Sequence, residues 1–322
     1  MAENHMDKMV NNRNVDIKGC EIPAKIRIHL DEIAQKLWMR PSHACALVGA
    51  GFSINALKSD ESIPTSPTWA QLADKMLERL CGEGTPYDKQ YLDVLNVADE
   101  LQAAKGIGEM NRFLEANIPN DGLAPSELHR KFMSLPWTDV LTTNYDTLLE
   151  RAADSIVDRN YERVVSKDKL VLSHSPRIIK LHGSFPSNPP YVISGEDYRR
   201  YPTDNAIFVN TVQQALIENT LCLFGFSGDD PNFIKWIGWI RDNLGENMPR
   251  IYLIGYLNCP DSKMSLLDKR RIVPVDIAPM CKSKDDIYDA LMAIVNYLLQ
   301  KHVKPEDWGR KGIRIGGYHE KQ

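Results

Sequence analysis

Six short runs are apolar without alternation and rich in β-branched residues: ACALV at 44–48, DVLTT at 139–143, RIIKL at 177–181, LCLFGF at 221–226, RIYLIGY at 250–256 and IVPVDI at 272–277. A strand with one face in water alternates polar and apolar residues, so a continuous apolar run is a strand buried on both faces. That burial requires a sheet covered by helices on each side. Helical patterns lie between the runs. The segment 25–38 places Ile28, Leu30, Ile33 and Leu37 roughly on one face, and 284–302 carries Ile287, Leu291, Ile294, Leu298 and Leu299. The alternation predicts an α/β fold with a Rossmann-like, doubly wound and mostly parallel sheet. From about 69 to 133 no convincing strand is visible, while TWAQLADKMLERL, YLDVLNVADELQAA and NRFLEAN all have helical period. A helical module inserted after the first strand is therefore expected.

A chain of 322 residues is long enough for one large core plus such a module. The composition is 43% hydrophobic and 25% charged with a net charge of −4, which lacks the basic excess of a nucleic-acid-coating protein. Residues 1–22 read as a polar N-terminal segment and 303–322 as a loose, Gly-rich C-terminal tail, leaving 23–302 for the folded domain. No signal-peptide core and no bilayer-length apolar run is visible, so the expected location is cytoplasmic. Six cysteines, Cys20, Cys45, Cys81, Cys222, Cys259 and Cys281, stand singly with no C-x-x-C pair, which suggests neither a zinc ribbon nor a disulfide framework. No metal is expected. Cys45 and Cys222 sit inside apolar runs, where a free thiol packs as a small hydrophobe.

Four loops follow predicted strands, at the carboxyl ends where open α/β sheets hold their ligands. In LVGAGFSIN (47–55) the strand runs into Gly49-Ala50-Gly51 and Ser53. Two glycines let the backbone turn tightly and approach a pyrophosphate, whose charge free N–H groups at the next helix would meet. The third glycine of the dinucleotide fingerprint is replaced by Ile54, and a plain tight turn also fits. In LTTNYDTLLE (141–150) the strand ends in Thr142-Thr143-Asn144, and Asn144 and Asp146 would project toward the first loop, although either also suits a helix cap. KLHGSF (180–185) puts His182 before Gly183, a proton-transfer group beside room for a substrate, or a satisfied structural histidine. LFGFSGDDPNF (223–233) offers Gly225 and Ser227 to a phosphate or ribose, while Asp229 or Asp230 with Pro231 starts a helix.

GAGFS, TTNYD, KLHGS and GFSGDDPN in this order resemble the sirtuin family, over about residues 44–256. The resemblance implies a sirtuin-like NAD-binding catalytic domain over 23–302. It implies NAD pyrophosphate on Gly49, Ala50, Gly51 and Ser53, and nicotinamide ribose and carboxamide on Thr142, Asn144 and Asp146. His182 would be catalytic, and Gly225 and Ser227 would take the phosphate and adenosine side. The chain lacks the paired C-x-x-C zinc ligands of protein-deacylating sirtuins and their I-P-D-F-R segment, having Ile63-Pro64-Thr65-Ser66 and then Pro67-Thr68-Trp69. SPTWAQL at 66–72 and the run from KLHGSF to ISGEDYRRY look like the zinc-less branch of bacterial anti-phage defence systems, whose members hydrolyse NAD to nicotinamide and ADP-ribose.

The resemblance thus implies an NAD glycohydrolase with Asn144 and His182 catalytic and NAD as substrate, acting as an abortive-infection effector. It also implies a homo-oligomer and a co-encoded activator or sensor, such as an ATPase, an Argonaute-like protein or a nucleotide-sensing partner. In the hydrolytic reading Asn144 positions ribose and water, His182 acts as base through water or a ribose hydroxyl, and Asp146 orients the carboxamide. The alternatives are an NAD-dependent protein deacylase and a noncatalytic subunit that senses NAD or ADP-ribose.

Overall fold

The computed structural model describes residues 21–82, 93–186, 189–226 and 228–301. The expected tail at 303–322, the N-terminal segment apart from Glu21 and Ile22, and Ser227 lie outside the described residues. In chain order the strands are β1 (Ala44–Val48), β2 (Leu57–Lys58), β3 (Leu123–Ala124), β4 (Asp139–Thr142), β5 (Glu162–Val164), β6 (Arg177–Lys180), β7 (Thr220–Phe224), β8 (Ile251–Gly255) and β9 (Ile272–Asp276). Seven of them form one sheet in the order β5-β6-β4-β1-β7-β8-β9, parallel throughout, while β2 and β3 form a separate antiparallel pair.

Each residue of β1 is fully buried, and the strand shows why the apolar runs do not alternate. Ala44, Ala46 and Val48 face a core with the helices Ala24–Leu37, Glu127–Ser134 and Ile287–Gln300. Cys45 and Leu47 face the opposite core, built with Gly195–Asp204, Ala206–Glu218 and Pro231–Leu244. Each buried Leu or Ile contributes about 1.5–3 kcal/mol of apolar transfer, so a period-2 strand with both faces apolar is held from both sides. The expected doubly wound α/β fold is what the chain adopts.

The helix Ala24–Leu37 buries Ile26, Leu30, Ile33, Ala34 and Leu37, whereas Ile28 is 60% exposed. Ile28 is two residues beyond Ile26, about 200° round a helix of 3.6 residues per turn, so it belongs to the solvent face and not to the stripe expected for it. The edge strand β5, sequence Glu-Arg-Val, was not among the six expected runs. Its two polar residues face water and only Val164 is buried, which leaves no apolar run to read.

The helices Trp69–Cys81, Val94–Lys105 and Ile107–Asn117 fall between β1 and β4. Leu72, Met76, Val97, Leu101, Met110 and Phe113 make a third core that packs on Tyr145, Phe185, Tyr191 and Ile193. The first helix is started by a capping box in which Thr68 accepts from Gln71 N while the Gln71 side chain accepts from Thr68 N. The stretch 69–133 also contains β3, only two residues long and thus without a readable period.

Candidate active site

The strand order reverses at β1, which continues along the sheet to β4 on one side and receives β7 on the other. Side-chain and backbone groups at the carboxyl ends there diverge and leave a crevice. A cavity of about 590 Å³ opens at that point, lined by Gly49, Ala50, Gly51 and Ser53 after β1, by Asn144 and Asp146 after β4, and by Gly225 after β7. The inserted helices supply the facing wall through Pro67, Trp69, Leu72 and Leu95.

The β1 and β7 loops are locked to each other. Gly49 N donates to Phe224 O at 2.9 Å and Gly51 N to Gly225 O at 3.0 Å. These two amides therefore hold the loops together, unlike the free N–H groups expected to meet a pyrophosphate. Gly225 sits at φ +59°, and a Cβ there would lie 2.0 Å from Phe52 N, so only glycine fits.

The β4 loop is threaded by side chains. The Thr142 hydroxyl donates to Val48 O at 2.8 Å and accepts from Asn144 N at 3.1 Å. Asn144 Nδ2 donates to Ser53 Oγ at 3.0 Å, and Ser53 Oγ donates to Asp146 Oδ2 at 2.7 Å. The other Asp146 oxygen accepts from Leu148 N at 3.1 Å, so this carboxylate both caps the following helix and joins the cluster. All three side chains are buried, and Asn144 Oδ1 has no hydrogen-bond partner although its residue lines the cavity. A buried acceptor left unmatched costs about 1–3 kcal/mol, which is repaid only by a donor arriving in the cavity.

Beneath this loop Lys180 and Glu150 form an ion pair at 3.2 Å with both side chains almost wholly buried, and Lys180 Nζ also donates to the Asp146 carbonyl. The pair fixes the backbone that carries Asn144 and Asp146 from below.

Thr142 and His182 do not line the cavity. Thr142 is a buried brace between β1 and the β4 loop. His182 is 1% exposed, its Nε2 has no partner, and its ring packs edge-on against Tyr198 and Tyr201 with centroids 5.4 and 5.6 Å away. Burial pushes its imidazole below the ordinary histidine range, against the opposing pull of Asp230 and Asp197, so it is neutral near pH 7.

Several lining residues escaped the reading of the sequence. Trp69, the first residue of its helix, is 43% exposed and lines the cavity beside Leu72, one turn further along the same helix. Ser66 lines the cavity with a buried, unpartnered hydroxyl. Tyr198 and Asp230 meet on the wall, where the Tyr198 hydroxyl donates to Asp230 Oδ2 at 2.8 Å. Asp230 Oδ1 accepts from Phe233 N, the helix-capping role expected for this Asp-Pro pair. Burial and then Asp230 raise the Tyr198 phenol well above its ordinary value. The described wall contains Asp93, Asp146, Asp229 and Asp230 and neither lysine nor arginine. Asp229 is held by Lys263 at 2.6 Å and Arg270 at 3.3 Å.

Sheet order and cavity together define a doubly wound, Rossmann-like α/β domain with its site at the switch point. More particularly, residues 138–275 match the family model of the SIR2-like domain. An NAD(+) hydrolase ThsA of Acinetobacter baumannii (strain 532279) is 31% identical over 181 residues, which is 52% of this chain and 37% of that protein. An NAD(+) hydrolase ThsA of Enterococcus faecium is 31% identical over 174 residues, 52% of this chain and 36% of that protein. Defense-associated sirtuin 2 of Bacillus subtilis is 22% identical over 265 residues, 79% of this chain and 25% of that protein. The chain thus spans between a quarter and little more than a third of the length of the curated relatives it matches. A solved complex of a Sir2 homologue with ADP-ribose superposes on 86% of this chain and 99% of its own, at 16% identity and a TM-score of 0.46. Among the described residues no helix is long and apolar enough to cross a membrane.

Proposed function

We propose that this chain is an NAD glycohydrolase that cleaves NAD to nicotinamide and ADP-ribose. The observation that carries the reading is the Ser53–Asn144–Asp146 cluster at the cavity, assembled from two loops more than ninety residues apart in the chain. Similarity to proteins named NAD(+) hydrolase supports it. The cavity's volume suits a ligand of nucleotide size, and the unpartnered Asn144 Oδ1 suits a hydroxyl or water donor.

Nicotinamide leaves a positively charged glycosidic bond as a neutral ring, so the chain need not protonate it. The carboxylates of Asp146 and Asp230 on the wall favour the cationic end of the dinucleotide. Asn144 holds the ribose and the attacking water through its free carbonyl oxygen, and Ser53 fixes the amide's orientation from the other side. Asp146, kept in register by Ser53, Leu148 N and Lys180, orients the carboxamide. His182 takes the proton through a ribose hydroxyl or water. Gly49, Ala50, Gly51 and Gly225 make the shallow floor along which a pyrophosphate lies. Similarity to a defense-associated sirtuin supports a role in anti-phage defence by abortive infection. In that role a homo-oligomer and a co-encoded activator or sensor control the enzyme.

The test is release of nicotinamide and ADP-ribose from NAD by the purified chain, alone and with its genetic neighbours, for wild type, Asn144→Ala and His182→Ala. Release by wild type that both variants lose, with unchanged circular dichroism, is expected. No release under any of these conditions overturns the reading. One observation favours a second reading: His182 lies behind Tyr198 and not on the cavity wall, as suits a subunit that binds NAD or ADP-ribose without cutting it. Nucleotide affinity in calorimetry without turnover would establish that alternative.

A further inference from the structure

His182 is separated from the cavity by one side chain. Tyr198 lines the cavity, its ring stands edge-on to the His182 ring, and the phenol is bonded to Asp230 on the same wall. On its other side His182 meets Tyr201, whose hydroxyl donates to Leu181 O at 2.7 Å and so is fixed to the strand end that carries the histidine. The two tyrosines enclose an imidazole whose Nε2 has no partner, an arrangement that is destabilising for a buried polar atom. A buried polar group left unmatched calls for a reason, and a catalytic role is one of them. Of these two rings, Tyr198 lines the cavity and Tyr201 does not.

The helix that carries Tyr198, Gly195–Asp204, is not an independent element. The Glu196 N–H donates to Asp99 Oδ1 at 3.1 Å, and Gln102 Nε2 donates to Asp197 Oδ2 at 3.3 Å. Asp99 and Gln102 belong to the inserted helix Val94–Lys105, whose first residues line the far wall of the cavity. A displacement of the inserted helices is therefore passed to the backbone under Tyr198.

We propose that Tyr198 is a shutter between His182 and the cavity, latched by its hydrogen bond to Asp230 and carried on a helix tied to the inserted module. The proposal deepens the glycohydrolase reading, since His182 is the base in it, but its test reads access to the imidazole and not turnover. In the latched state the substrate ribose and the imidazole cannot touch. Turning the phenol off Asp230 opens the path and frees an acidic side chain on the wall. Tyr198 is a positioning residue in this scheme and takes no proton from the substrate.

The experiment is acylation of the purified full chain with diethyl pyrocarbonate, the extent at each histidine being read by peptide mass spectrometry. The exposed His174 serves as the internal standard. In wild type His182 reacts far more slowly than His174. Tyr198→Phe keeps the ring and removes the latch, and it should raise the His182 rate about tenfold, the factor for losing one hydrogen bond to a charged group. The His174 rate should stay unchanged. Tyr198→Ala removes the shutter itself and should raise the rate at least as far. An unchanged His182 rate in Tyr198→Phe, or a wild-type His182 that reacts as fast as His174, overturns the proposal. A raised rate without NAD cleavage keeps the shutter and overturns the glycohydrolase reading, so the two fail separately.

Discussion

Ser53 and Asp146, ninety-three positions apart, share a hydrogen bond of 2.7 Å, and the same serine oxygen accepts from Asn144 at 3.0 Å. One hydroxyl thus aligns the amide and the carboxylate of the candidate site, and it reaches them because β1 and β4 are neighbours in register, with Val48 opposite Thr142.

Ser53→Ala removes the acceptor of Asn144 and the donor to Asp146 together. Because both partners are buried, stability should fall by about 1–3 kcal/mol, read from the urea midpoint. NAD cleavage should fall at least about tenfold, since the Asn144 amide is then free to rotate. Turnover equal to wild type would show that the cluster is only structural.

Gly225→Ala should prevent close approach of the two glycine loops. Its Cβ would lie 2.0 Å from Phe52 N and 2.6 Å from Gly51 C, both backbone atoms that cannot give way, and φ is +59°. A loss of at least ~2 kcal/mol is expected from overpacking and strain, measured by thermal unfolding. Gly228→Ala is the contrasting case: φ is also positive, at +75°, but its Cβ would meet nothing closer than 3.9 Å. It should be the milder variant, and equal losses would refute the contact argument.

Lys180→Met should cost roughly 3–5 kcal/mol, because it strands the Glu150 carboxylate in the core with its ion-pair partner gone. Adding Glu150→Leu should recover most of that loss, since two apolar side chains fill the site without an unpaired charge. NAD cleavage should remain low in the double variant, whose Asp146 carbonyl has lost the Lys180 donor. A double variant as unstable as the single one in urea would contradict the account.

Stability should decline on mild acidification through His129. Burial pushes its imidazole down to about 4 from the ordinary 6.5, with Asp146 opposing and Arg130 and Arg151 assisting. The unfolded chain takes up a proton below about 6.5 that the folded chain refuses until about 4. The contribution is therefore full above 6.5 and is lost as pH falls toward 4, by about 3 kcal/mol in all. His182, shifted in the same direction, adds to the decline. His129→Gln keeps an acceptor for Ser126 N at the third position of its helix, so its urea midpoint should fall less between pH 7.5 and 5. Parallel pH profiles for the two proteins would rule His129 out as the cause.

The sheet's interior strands are legible in the sequence, because a strand buried on both faces is apolar along most of its length, as β1 is throughout and β7 is from Leu221 to Phe224. The sequence also determined which loops end those strands, and so the neighbourhood of Ser53, Asn144, Asp146 and Gly225, since strand ends and glycine turns are local features. The edge strand β5 was not legible, for its outward side chains are those of any surface segment. Tertiary structure alone decided the rest. The order β4-β1-β7 brings Ser53 to Asp146 and Gly225 to Phe52, and it is set by how helices cover both faces and not by anything within a loop. His182 illustrates the difference most directly. Its place at a strand end is written in KLHGSF, but its distance from the cavity is fixed by Tyr198 and Asp230, which come from separate helices and meet only in the folded chain.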